Sequence, residues 1–221
     1  MRSSKLAFVC AALLGAGSVQ AAGLGLRLGT TGIGGDIGFQ LTDSLTARVG
    51  YAGYSTDLDI DEQDIRYQGK LKWSNASALV DWYFLGKLRL TGGIYSANNK
   101  VDVTGTPSGG TFTINDQVYN ASDVGTLRGS TRLGKSASPY IGIGYGDITR
   151  AGINLYADLG IMYQGTPMVS LTATCGPAAP PGSPQCNSIQ ADVASEQQRI
   201  NDDIKSFKYY PVFSAGIAYG F

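Results

Sequence analysis

The chain has 221 residues, 17 basic and 17 acidic side chains, and no histidine. A neutral balance excludes an electrostatic nucleic-acid partner, and the missing histidine removes the commonest general base and metal ligand. Glycine supplies 31 residues, about twice its usual share, and tyrosine 13, a composition that weakens helices and suits strands and membrane interfaces.

In chain order, Arg2 and Lys5 precede a short apolar run from Leu6 to Gly17, and Val19-Gln20-Ala21 places small residues at a cleavage site. This is the layout of a secretory signal peptide. The run is well short of the roughly 20 residues of a spanning helix. Cys10 lies mid-way through it, too early for a lipidation site. Residues 1–21 are therefore expected to be the signal peptide, and residues 22–221 one domain. Nothing after Ala21 is apolar for long enough to span as a helix. A closed β-barrel can still span, because closure satisfies every backbone group.

Segment after segment alternates. Leu24, Leu26 and Leu28 interleave with Gly25 and Arg27, and Ile33, Ile37 and Phe39 with Gly34, Asp36 and Gly38. Leu45, Ala47, Val49 and Tyr51 interleave with Arg48 and Gly50, and Leu88, Leu90 and Ile94 with Arg89, Thr91 and Tyr95. Ile141, Ile143 and Tyr145, then Ile153, Leu155, Leu159 and Ile161, continue the pattern. A period of two with one apolar face predicts strands between lipid and a filled lumen.

Short polar turns alternate with long connections. Thr42-Asp43-Ser44, Gly86-Lys87 and Gly146 to Gly152 suit periplasmic turns. Asp57 to Arg66, Thr104 to Lys135 and Thr166 to Lys208 suit extracellular loops. The predicted fold is all-β: an antiparallel up-and-down transmembrane barrel of eight strands. Ten is the alternative if part of 104–135 crosses the membrane. The expected arrangement is that this segment extends two strands beyond the bilayer, with Asn115-Asp116 at a turn of its own. Trp82-Tyr83-Phe84, Tyr219 and Phe221 would join the inner aromatic girdle.

The inward parity carries charge. Arg27, Arg48 and Arg89 face in with Asp36 and Asp158, and Asp81 joins them once Trp82 and Phe84 face lipid. Three cations and three anions in a narrow barrel are expected to pair, since an unpaired buried charge costs several kcal/mol. Cys175 and Cys186 flank a Pro/Gly-rich segment and, in an exported chain, predict one disulfide on a surface loop. Ile189, Val193, Ile200, Ile204 and Phe207 fall near helical spacing, so 189–207 reads as a short amphipathic helix before the last strand. It would cap the barrel or offer a partner surface. Asp57, Asp59 and Asp61 begin like a calcium loop, but Glu62 replaces its turn glycine and Gln68 its bidentate glutamate. A solvated acidic loop is expected, and no metal or cofactor.

The last strand, Tyr209 to Phe221, again alternates, and its Tyr219 and Phe221 resemble the assembly signal read by the outer-membrane barrel insertase. Four further stretches, Gly29-Thr-Thr-Gly-Ile-Gly-Gly-Asp-Ile-Gly38, Asp81-Trp-Tyr-Phe84, Pro139 to Gly146 and Phe207 to Phe213, resemble a family of small outer-membrane barrels of Gram-negative bacteria. That family is related in architecture to the OmpA barrel domain and OmpX. The resemblance implies the fold and the outer membrane, and transfers no catalytic residue. Barrel enzymes of that membrane resemble one another in using a histidine, so an enzyme is not expected. The expected role is structural or surface-interacting, with a packed, ion-paired lumen. The alternative is a narrow porin-like channel for small solutes such as amino acids. Expected partners are outer-membrane lipids, lipopolysaccharide and the barrel assembly machinery, with the chain a monomer.

Overall fold

The computed structural model describes residues 21–62, 65–107 and 109–221, so the signal-peptide expectation lies outside it, apart from Ala21. Eight strands close an antiparallel ring: β1 (Ala22–Gly29), β2 (Gly32–Thr42), β3 (Leu45–Glu62), β4 (Ile65–Leu85), β5 (Leu88–Ala97), β10 (Ser138–Tyr145), β11 (Gly152–Tyr163) and β13 (Tyr209–Gly220). Sequential neighbours pair throughout, and β1 closes the ring on β13, with Gly23 opposite Gly220. Closure leaves the ring no free edge.

The strands form because their side chains alternate, and the alternation sets which face meets which surroundings. Leu26, Leu28, Ile153 and Leu155 point outward and are 64–75% exposed, as a lipid-facing surface requires. Their neighbours Arg27, Asn154 and Tyr156 point into the ring and are buried. At the end where Ala22 meets Phe221, Trp82 packs on Phe84 with ring centroids 6.2 Å apart, and Tyr145, Tyr219 and Phe221 are exposed at the same end. This is an aromatic girdle at the end of the short turns. At the other end Tyr163 stacks edge-on against Tyr209 at 5.6 Å, and the hydroxyls of Tyr51 and Ser74 are hydrogen-bonded at 3.0 Å.

Two of the three long connections are mostly strand, and the third, 166–208, holds one short strand and a helix. β3 and β4 run far past the ring as a hairpin, paired without a register shift from Leu45 opposite Trp82 to Glu62 opposite Ile65. The acidic stretch at Asp57 is therefore a strand and not a loop, because Leu58 alternates with Asp57 and Asp59. Its residues 63 and 64 lie outside the described set. Residues 99–135 add β6 (Asn99–Pro107), β7 (Thr111–Ile114), β8 (Gln117–Asn120) and β9 (Val124–Leu133), and β12 (Met168–Cys175) follows β11. β3, β4, β6, β9 and β12 form one extension sheet above the ring. Asn115 and Asp116 turn the β7–β8 hairpin with φ of 51° and 61°, a left-handed pair that short polar residues tolerate.

The one helix among the described residues, α1 (Pro184–Ile204), begins five residues before the predicted start. Ser183 caps it by accepting from the Cys186 amide at 3.2 Å, and Pro184 occupies the first turn, where its missing N–H costs nothing. Cys186 thus lies inside the helix. The Cys175–Cys186 disulfide ties the end of β12 to the start of α1, with Cα atoms 5.6 Å apart, so it staples two elements and does not close a free loop. α1 packs on β12 and β7, not in the ring. Asn201 pairs with both the amide and the carbonyl of Val169, at 2.7 and 2.9 Å, and Gln197 accepts from Leu171 at 2.7 Å. Side chains thereby cover the open edge of β12.

Candidate functional site

The ring interior is the most chemically loaded part of the molecule. Arg27 projects from β1, Asp36 from β2, Arg48 from β3, Asp81 from β4, Arg89 from β5 and Asp158 from β11. All six are at most 5% exposed.

They fall into two neutral groups. In the larger, the Arg48 guanidinium grips Asp158 through both terminal nitrogens, at 2.8 and 3.0 Å, and approaches Asp81 with Nε at 3.0 Å. Arg89 reaches the same two carboxylates, 2.7 Å to Asp158 and 3.2 Å to Asp81, and Thr91 donates to Asp81 at 2.7 Å. Two guanidinium forks between two carboxylates cancel their charge deep inside the ring. That geometry is what makes a buried cluster tolerable. The Nε atoms of Arg48 and Arg89 lie at ion-pair distance without aligned hydrogen bonds, so the terminal nitrogens carry the directional contacts.

The smaller group is Arg27 with Asp36, at 3.1 Å, and Arg27 also reaches toward Tyr95 and Ser77 at 3.4 and 3.5 Å. Tyr156 links the groups. Its hydroxyl donates to Asp36 at 2.9 Å, while its ring lies 5.9 Å from the Arg48 guanidinium carbon. Glycine makes the space. A Cβ on Gly25 or Gly216 would stand 2.7 Å from Tyr156, and one on Gly144 would stand 2.6 Å from Arg89.

Two further layers escaped the sequence reading. Towards the extended end, Tyr95 and Tyr140 meet edge to face at 5.3 Å over Leu79, Met162 and Val212. Asn75 then bonds Asn99 at 3.0 Å and the Thr31 carbonyl at 2.9 Å. Tyr95 stood on the inward parity in the sequence, so that signal was present. At the opposite end the Gly146–Gly152 turn folds inward. Ile148 and Thr149 are each 2% exposed, and Ile148 packs against Gly25, Gly38, Tyr156 and Ala218. Arg89 donates to the Gly146 carbonyl at 2.7 Å, and Asp147 accepts from the Thr149 amide at 2.9 Å and the Tyr83 hydroxyl at 3.3 Å. An apolar residue in mid-turn was the only hint of this stopper.

The disulfide joins Cys175 to Cys186 far from this interior, and Tyr219 and Phe221 lie on the outer surface at the last strand's end. Among the described residues no group of three or more acidic, histidine or cysteine side chains is placed to hold a metal ion.

An apolar exterior, a closed antiparallel ring and a charge-paired interior define a β-barrel of the outer-membrane type. Solved structures agree with that fold. The chain aligns with the crystal structure of CarO from Acinetobacter baumannii at TM-score 0.61 and 21% identity, over 90% of this chain and 97% of that one. It aligns with CarO2 of the same organism at TM-score 0.60 and 19% identity, over 91% and 98%. A major outer membrane protein from Thermus thermophilus aligns at only 0.40, with 16% identity over 90% and 99%, a level that supports no argument. No protein-family model and no curated protein matches the chain. At these identities the likeness is one of fold.

Proposed function

We propose that this protein is a monomeric, non-enzymatic outer-membrane barrel in which eight strands cross the membrane around a sealed lumen, with an interaction role carried by the extended end. In this reading the short turns face the periplasm and the extension faces outside. Tyr219 and Phe221 serve assembly, and the architectural kinship is with the OmpA barrel domain and OmpX. The carrying observation is the burial of Arg48, Asp81 and Arg89, each 1% exposed, because charges that line a water path stay accessible to water. The extra strands support eight crossings over ten, since β6 and β9 pair only above the ring.

A second reading, a gated channel for small amphoteric solutes, is favoured by one feature. The closure consists of side chains and a turn, which can move, and the Arg/Asp pairs would suit a zwitterion. Planar-bilayer recording separates the two. The sealed barrel conducts near zero, and Arg48→Ala raises the conductance by leaving the carboxylates to attract water. A steady wild-type conductance that Arg48→Ala leaves unchanged would establish the channel instead.

A further inference from the structure

The outward face of the extension changes character in steps that match one class of lipid. Just above the ring, Tyr51 and Ser74 hold each other's hydroxyls at the upper limit of the lipid-facing surface. The next outward residue on β4 is Lys72. Its register partner on β6 is Lys100, and the partner of Lys100 on β9 is Arg132. Three cations therefore stand side by side across three adjacent strands, spaced about 5 Å apart. None of the three has an ion pair among the described residues, whereas Lys70, one step up, pairs with Asp57 at 3.3 Å. Like charges directly opposite one another destabilise a sheet, so this row calls for an external anion.

Directly above the row lies a cleft of about 250 Å³ lined by Asp102, Thr104, Arg128, Ser130, Ser170 and Thr172. Ser130 donates to Asp102 at 2.7 Å, leaving the Ser170 and Thr172 hydroxyls and the Arg128 guanidinium facing out. Hydroxyls mixed with one carboxylate and one guanidinium suit the hydroxyl groups of a sugar. The cation row lies just above the apolar band on β4, and the hydroxylated cleft follows it along β6 and β9, about 7 Å per step.

We propose that Lys72, Lys100 and Arg132 bind the phosphate of a phosphorylated outer-leaflet glycolipid, with its sugar in the cleft between β6, β9 and β12 and its acyl chains on the barrel wall. This rests on the extended end facing outside. The row supplies the charge, and the cleft distinguishes a glycolipid from a simple anionic phospholipid. Each near-surface cation contributes roughly a fivefold gain in affinity, so the three together account for about a hundredfold.

The test titrates the refolded full mature barrel in detergent with lipopolysaccharide, with the same lipopolysaccharide after removal of its lipid phosphates, and with phosphatidylglycerol. Folding is first checked by the heat-dependent gel shift, so failure of the barrel reading is seen separately from failure to bind. The triple variant Lys72→Gln/Lys100→Gln/Arg132→Gln is expected to lose about a hundredfold in affinity, and Lys100→Gln alone about fivefold. Dephosphorylation is expected to match the triple variant, while Lys87→Gln/Arg150→Gln at the opposite mouth changes nothing. Ser170→Ala/Thr172→Val is expected to narrow the preference for lipopolysaccharide over phosphatidylglycerol. Wild-type affinity in the folded triple variant would overturn the proposal. So would displacement by millimolar inorganic phosphate, which would mark a free-anion site, or equal affinity for phosphatidylglycerol.

Discussion

β3 and β4 run through both the ring and the extension, and their polarity reverses between the two. In the ring, β3 and β4 turn Val49, Tyr51, Val80 and Trp82 outward and bury Arg48 and Asp81. Above Ser74 the outward residues are Lys70, Lys72, Asp57 and Asp59, while Leu71 and Trp73 take the inward parity. The alternation never breaks; only the solvent changes. Lipid accepts an apolar exterior and forces charge inside, where it must pair. Water reverses the preference, so the extension packs Ile114, Val124, Ile189 and Val193 into a core and leaves its ion pairs exposed.

The comparison predicts opposite sensitivities. Asp158→Ala leaves two buried guanidinium groups to share the single carboxylate of Asp81 and should cost roughly 3–5 kcal/mol in urea unfolding of the barrel. Arg199→Ala, which removes exposed pairs to Asp116 and Glu196 at 3.1 and 2.6 Å, should cost at most about 1 kcal/mol. Equal costs would break the contrast.

A smaller effect is confined to the extension. Cys175→Ser with Cys186→Ser should leave assembly and the heat-dependent gel shift intact while destabilising the β12–α1 unit by about 3 kcal/mol in the chain-entropy model. Hydrogen exchange across 168–204 reads it. A double variant that fails to assemble would mean the extension is part of the barrel's folding unit.

The smallest effect is a pH response where α1 meets the β7–β8 hairpin. The Asp192 carboxylate accepts from the Tyr119 hydroxyl and from Asn115 at 3.0 Å. These bonds hold Asp192 below the usual carboxylate range and push Tyr119 up to about 12. For Asp192 the stabilisation is present above the unfolded value near ~4 and fades as pH falls through the lowered folded value. For Tyr119 it is present below ~10 and fades as pH rises through the raised value. Proteolysis at 109–123 should therefore accelerate at both extremes, with Asp192→Asn abolishing the acid arm. An acid arm that persists in Asp192→Asn would place the sensitivity elsewhere.

Period-two patterning by itself determined the ring strands, the inward parity of Arg27, Asp36, Arg48, Arg89 and Asp158, and the lipid side of Trp82 and Phe84. Side-chain direction in a strand is a local property, fixed two residues at a time. The same rule was legible at Asp57–Asp59 but was masked by charge, because an apolar–acidic alternation looks like a loop until a sheet carries it. Ring closure alone decided who meets whom. Arg48 and Asp158 are 110 residues apart, and only the stagger between β3 and β11 across the lumen joins them at 2.8 Å. The stopper at Ile148 was equally out of reach of the sequence. A turn folds inward only where distant strands offer a floor without side chains, and Gly25 and Gly38 become that floor for Ile148 when the barrel closes.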